Sequence, residues 1–246
     1  MKINRAAIKS NAKQQMLSAR PHVCAVGLVY YLIIQVLSYL GDRVSGADTL
    51  RDLYSGSSPF SAYFFSQSPQ FSRAAQLYWE QLSFWGSLLS VALQVVAATI
   101  AVGFLIYALN VSRMQPAGIG TLFDGFSIFW RALLLRILIA IFVFLWSLLF
   151  LFPGIIAAYR YRMATYILID HPEMTPLECI GASKRMMSGR KWELFVLDLS
   201  FLGWALLSII PFTSVWIAPY MEVTYANYYQ AICGLQSAGG SGPDVF

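Results

Sequence analysis

Charge is what this chain has least of. Lys, Arg, Asp and Glu make up 12% of its 246 residues, against 58% hydrophobic, whereas soluble domains carry about 25% charged residues. Too little polar surface is left to face water all round, which excludes an ordinary soluble domain. Cysteine is as sparse: Cys24, Cys179 and Cys233 lie far apart and imply neither a disulfide framework nor a metal site. The two histidines, His22 and His171, each precede a different apolar run and read as interfacial residues rather than bases or ligands. A Gly-rich phosphate loop, Cys/His metal spacing and a nucleophile elbow are all missing. Ser200 in LDLSFLGW falls mid-helix, where a hydroxyl bonds back to its own backbone. The chain is therefore not read as an enzyme, and no catalytic residue, metal or cofactor is expected.

What fills the chain instead is apolar sequence of spanning length. A helix needs about 20 residues to cross the hydrocarbon, and Val23–Leu40, Phe84–Leu109, Leu133–Phe152 and Trp192–Ile210 meet that length. Gly154–Ile169 and Ser214–Leu235 each follow a proline and carry polar residues. Counting both gives an all-α, polytopic membrane bundle of about six transmembrane helices. Pro153-Gly154 and Pro211 fall where apolar runs end, so each is expected to close a helical hairpin, and Pro219 to interrupt the last helix. The whole chain, 1–246, reads as a single integral membrane domain.

Basic residues set the orientation. Residues 1–22 hold Lys2, Arg5, Lys9, Lys13 and Arg20 with no acid, and 171–191 holds Lys184, Arg185, Arg190 and Lys191 against Glu173 and Glu178. Both stretches should be cytoplasmic, which puts both termini on the cytoplasmic side of the cell membrane, with 41–83 as an external loop and 236–246 as a flexible tail. The first apolar run is longer than the usual 7–15-residue signal core and is expected to remain as a helix. The stretch 172–191 reads as an interfacial helix, methionines in the acyl boundary and bases toward anionic headgroups; docking of a protein partner is its alternative use. The net charge of +5 then calls for no nucleic acid.

Arg160 and Arg162 stand out, because they lie inside LFPGIIAAYRYRMATYILID. They fall roughly 10–14 Å along their helix from Pro153, and a charge at the bilayer centre costs about 2.5–3.5 kcal/mol on insertion scales. They need partners. Glu222 on the last helix is the first candidate and Asp198 the second. The four form an intramembrane polar cluster, either an internal ion pair fixing helix registry or a polar site for an anionic headgroup, ion or proton.

The chain also echoes itself. Thr121-Leu-Phe-Asp124 and Thr175-Pro-Leu-Glu178 both match a helix start, and Tyr161…Thr165-Tyr166 returns as Tyr220…Thr224-Tyr225. With 2–20 as a looser first copy, three units of interfacial helix plus membrane hairpin are expected. The frame Pro153-Gly-Ile-Ile, Tyr159-x-Tyr161-x-Met163-Ala164, Ile167-Leu-x-Asp170-x-Pro172 and Ser183-Lys184-x-Met186-Met187-x-Gly189-x-Lys191 resembles an uncharacterised family of bacterial multi-pass membrane proteins, a domain of unknown function. That family is similar in outline to the six-helix membrane domains of some glycerophosphodiester phosphodiesterases. No soluble catalytic domain accompanies the frame here, so the resemblance implies a fold and no activity. Two function classes follow. The first is a non-catalytic module that organises the membrane or envelope, or binds a partner or a second copy of itself, with lipid contacts. The alternative is a small transporter or channel for an ion or an anionic or amphipathic substrate.

Overall fold

A computed structural model of the chain describes residues 5–19, 22–45, 84–149, 151–203 and 214–238. Among them the order is α1 (Arg5–Ser18), α2 (Val23–Ser45), α3 (Phe84–Ser112), a 3-10 helix (Ile119–Ile128), α4 (Phe129–Leu149), α5 (Leu151–Tyr161), α6 (Ala164–Asp170), α7 (Pro176–Met186), α8 (Lys191–Leu199) and α9 (Ser214–Ala238), with no strand. The fold is all-α. Three stretches are long and apolar enough to cross a membrane: Val23–Ser45, Trp85–Ser112 and Ile119–Leu148. α9 has the length, at 25 residues, but carries Glu222, Asn227 and Gln230. Pro211 lies outside the described residues, as do most of the 41–83 loop and the tail beyond Ala238, while Gly41–Ser45 continues α2.

The chain forms two compact units, Met1–Tyr31 with Thr99–Phe246, and Leu32–Ala98. In the second, Leu32, Val36, Tyr39, Trp85 and Leu89 are exposed, and Arg43 donates to Tyr39 one turn back at 3.1 Å. The first has a core in which Met163, Ile167 and Leu168 pack with Cys179 and Met186 of α7, Leu194 and Leu197 of α8 and Tyr228 and Ile232 of α9.

Two expected helix breakers turn out to be helical. Pro153 and Gly154 lie within the first turn of α5. A proline is tolerated there because the first N–H groups of a helix have no internal acceptor. Gly154 works as a contact: α4 and α5 pack side by side, and a Cβ on Gly154 would overlap the Ser147 side chain and lie 2.9 Å from its Cα. Pro219 sits inside α9, which runs through it unbroken. Proline removes the hydrogen bond to the carbonyl four residues earlier, here Val215. Gly27 of α2 covers that place, since a Cβ on Gly27 would stand 2.9 Å from Pro219 Cγ and 3.0 Å from the Val215 oxygen.

The interruption falls instead at Arg162 and Met163, between α5 and α6. Met163 keeps helical angles (φ −84°, ψ −9°), so the hydrogen-bond ladder lapses without the chain turning back.

The lead-in segments also differ from expectation. Thr175 caps α7 as its sequence indicates: its N–H donates to Glu178 Oε2 at 2.8 Å, and its Oγ1 accepts from the Glu178 N–H at 3.4 Å. Those bonds hold the exposed Glu178 carboxyl below its ordinary range. Thr121, by contrast, is three residues past the cap Gly118 of a 3-10 helix, and its Oγ1 accepts from the Gly118 N–H at 3.3 Å. Nor do the α7 methionines meet acyl chains. Met186 and Met187 are fully buried in protein, while Lys184 and Arg185 are exposed. The α7 face reads as amphipathic either way, because burial in protein and burial in lipid select the same residues.

α1 is docked as well. Ile8, Ala12 and Met16, one face at four-residue steps, are buried, and α1 packs on α9. Gln15 fastens it, donating to the Ser112 carbonyl at 2.9 Å and accepting from Asn227 at 2.7 Å. Lys9 lies 4.1 Å over the Phe201 ring, and burial lowers its pKa.

Candidate functional site

The polar residues of the bundle form a ladder along one face of α9. Glu222, Tyr225 and Tyr229 recur at three- and four-residue steps and so share a side of the helix. α8 delivers Asp198 to the middle position, where Tyr225 donates to its Oδ1 at 2.6 Å and Tyr159 of α5 to its Oδ2 at 2.8 Å. Tyr166 of α6 donates to Glu222 Oε2 at 3.2 Å and stacks on Tyr229, with ring centroids 5.4 Å apart. At the other end Tyr229 donates to Asp170 Oδ2 at 3.0 Å, and Arg113 forms an ion pair with the same oxygen at 2.6 Å. α3 presents Arg113 because it stops there: Met114 adopts φ 56° and the Gln115 N–H donates back to Asn110 at 2.9 Å.

The four charges expected to cluster are therefore only partly brought together. Asp198, Glu222 and Arg162 meet in one region, Arg162 lying 4.7 Å over the Tyr225 ring within electrostatic reach of both acids. The expected ion pair between Glu222 and Arg162 or Arg160 does not form among the described residues: Tyr166 supplies the donor instead. Tyrosine reaches a buried carboxylate without bringing a second charge to be desolvated, which favours it inside an apolar bundle. Arg160 stays apart, its Nε buried with no hydrogen-bond partner and its carbonyl accepting from Ser183 at 2.8 Å. Of the basic set at the end of α7, Lys184 and Arg185 are exposed and Arg190 and Lys191 half-buried. The Arg190 carbonyl accepts from Tyr228 at 3.4 Å.

Three participants escaped the sequence reading. Arg136 of α4 lies within electrostatic reach of Glu222 and Tyr30 and was hidden inside an apolar run. Arg113 and Asp170 are far apart in sequence. The tyrosines had a signal: Tyr107, Tyr166 and Tyr225 stand at equal intervals. Two of the three hold a carboxylate, while the buried Tyr107 hydroxyl has no partner among the described residues.

As chemistry, the arrangement holds charges in place. No group of three or more His, Cys, Asp or Glu side chains among the described residues is disposed to hold a metal ion. A cavity of about 370 Å³ lies between the end of α1 and the turn after α3, lined by Gln15, Ser18, Met114 and Gln115 among others and by none of the ladder's acids or tyrosines.

Residues 151–236 match the model of a family described as "Protein of unknown function (DUF975)". The match takes in Arg162, Asp198 and Glu222 and leaves out Tyr30, Arg113 and Arg136. No curated protein and no solved structure matches the chain.

Proposed function

We propose that the chain is a multi-pass protein of the cell membrane that acts without catalysis, organising membrane components or docking a partner through lipid contacts. In this reading it crosses about six times, with both termini and α7 on the cytoplasmic side, and its likeness to bacterial multi-pass proteins and to phosphodiesterase membrane domains is one of architecture. One observation supports it: Asp198 and Glu222 are bonded to tyrosines of neighbouring helices, while the exposed side of α4 beyond Arg131 is apolar, with Phe144 and Leu148 among its exposed residues. Acids bonded within the bundle and hydrocarbon turned outward suit a lipid-embedded bundle that holds a shape. The exposed Lys184 and Arg185 suit anionic headgroups.

The arrangement is tested by labelling single cysteines in a background with Cys24, Cys179 and Cys233 replaced by serine. Ser58→Cys should react with an impermeant maleimide in intact cells, and Ser10→Cys and Lys184→Cys only after lysis. Labelling of Lys184→Cys in intact cells overturns the orientation.

A second reading, a small transporter or channel, is favoured by the interruption at Arg162–Met163, since transporters place their sites at broken helices. Proteoliposomes decide between the two. The module leaves proton and anion gradients standing, and a transporter dissipates one of them.

A further inference from the structure

Between α3 and α4 the chain runs for ten residues as a 3-10 helix, Ile119–Ile128, where such runs rarely exceed three or four residues. With three residues to the turn, side chains three apart stack into rows, and the sequence fills the rows with three chemistries. Leu122, Gly125 and Ile128 form the first: Leu122 and Gly125 are buried and Ile128 packs against the core. Phe123 and Phe126 form the second and are exposed, at 51% and 44%. Thr121, Asp124 and Ser127 form the third, with Asp124 and Ser127 exposed. The inner row lies against the backbone of α3. A Cβ on Gly103 would overlap the Leu122 carbonyl, and one on Gly125 would overlap the Thr99 carbonyl and stand 2.8 Å from the Gly103 nitrogen. The segment thus has one fixed side toward protein, and its two outward rows differ, one aromatic and one polar.

The level of the segment decides what each outward row meets. Leu122 lies at Gly103 and Gly125 at Thr99, so the segment runs back along α3, away from Ser112. Past Gly103, α3 continues for about 14 Å to Ser112, and there Ala12 and Met16 of α1 share a core with Tyr107 and Ala108 while Asn11, Lys13 and Gln14 of α1 are exposed. In the other direction the 21 residues of α4 cover about 30 Å, the thickness of the hydrocarbon. Its exposed row follows Phe126 at Trp130, Leu134 and Ile137 and runs on to Leu148, all large and apolar. The outward surface therefore changes from polar to apolar across the 3-10 helix, with Trp130 and Arg131 exposed at the changeover. Tryptophan and a snorkelling arginine belong at the headgroup level. Close helix contacts here use glycines, as at Gly27, Gly103, Gly125 and Gly154, whereas the row from Phe123 to Leu148 offers large side chains, which suits lipid better than a second copy of the chain.

We propose that Ile119–Ile128 is a lipid-interface segment, whose Phe123 and Phe126 enter the acyl boundary of the cytoplasmic leaflet while Asp124 and Ser127 stay among hydrated headgroups. It rests on the reading of the chain as a membrane protein with α1 on the cytoplasmic side. It supplies the apolar lipid contact that the buried methionines of α7 do not make, and it sets the depth of α4, whose apolar length then coincides with the bilayer core.

The full chain, with Cys24, Cys179 and Cys233 replaced by serine, is placed in liposomes of phosphatidylglycerol and phosphatidylcholine with a nitroxide on Phe123→Cys, Asp124→Cys, Phe126→Cys, Ser127→Cys or Phe144→Cys. All five native side chains are exposed, so the label displaces no packing. Collision with oxygen reports lipid, and collision with a water-soluble nickel chelate reports water. The ratio of oxygen to nickel collisions should be several-fold higher at 123 and 126 than at 124 and 127, and higher still at 144. Equal ratios at the four 3-10 positions, all aqueous or all lipidic, overturn the interface placement. Shielding of 123 and 126 from both probes shows that protein, such as a second copy of the chain, covers the row, and overturns the lipid contact. Nickel access at 144 refutes the membrane reading itself, whereas nickel access at 123 and 126 with oxygen access kept at 144 refutes this segment alone.

Discussion

Leu151–Asp170 and Ser214–Ala238 carry the same short pattern, Tyr161…Thr165-Tyr166 in one and Tyr220…Thr224-Tyr225 in the other, yet they differ in continuity. The stretch with a proline in its interior is one helix. The stretch whose proline sits harmlessly in the first turn is interrupted, at Arg162. In α9 the carbonyl that Pro219 leaves unbonded is covered by α2, which Gly27 lets approach. In α5–α6 no proline or glycine marks the lapse; it coincides with an arginine that lies over Tyr225. Helix continuity in this bundle thus follows what packs against each segment more than the propensity of the residue at the break.

Three substitutions bear on that contrast. The largest effect is expected from Gly154→Leu, because the added side chain has no room against Ser147 and must prise α5 from α4. A loss of about 3 kcal/mol is expected by denaturant titration in detergent; an unchanged midpoint shows that the hairpin is not held there. Gly27→Leu meets Pro219 and Val215 less severely and should cost about 2 kcal/mol. It should also loosen α9, seen as faster amide exchange near residues 215–220. If exchange there stays at the wild-type rate, α2 does not keep the proline helix intact. Pro219→Ala is the mildest. The backbone bond regained offsets the ring packing lost, and stability should move by less than about 1 kcal/mol, whereas a larger change in either direction means that the proline shapes the bundle.

Much of the architecture was legible in local sequence. The apolar runs at Val23, Phe84 and Leu133 appear as α2, α3 and α4, and Thr175-Pro176-x-Glu178 gave the cap of α7, because spanning length and capping are local properties. Turn positions were not, since Pro and Gly serve equally well in a first turn or in a close helix contact, as Pro153 and Gly154 do. For the site, sequence marked Arg162, Asp198 and Glu222 as charges in need of partners, but the partners are chosen by tertiary packing. Tyr159, Tyr166 and Tyr225 come from three helices, and the docking of α1 through Gln15 reaches across almost the full chain to Asn227.

The account stands on phenols, rather than opposite charges, holding the inward acids. A double-mutant cycle between Tyr225→Phe and Asp198→Ala, read as unfolding free energy in detergent, addresses this at its shortest contact of 2.6 Å. Tyr225→Phe takes one of two donors from Asp198, and Asp198→Ala strands the hydroxyl of the buried Tyr225, so a coupling of about 1–3 kcal/mol is predicted. Additivity to within about 0.5 kcal/mol would contradict it.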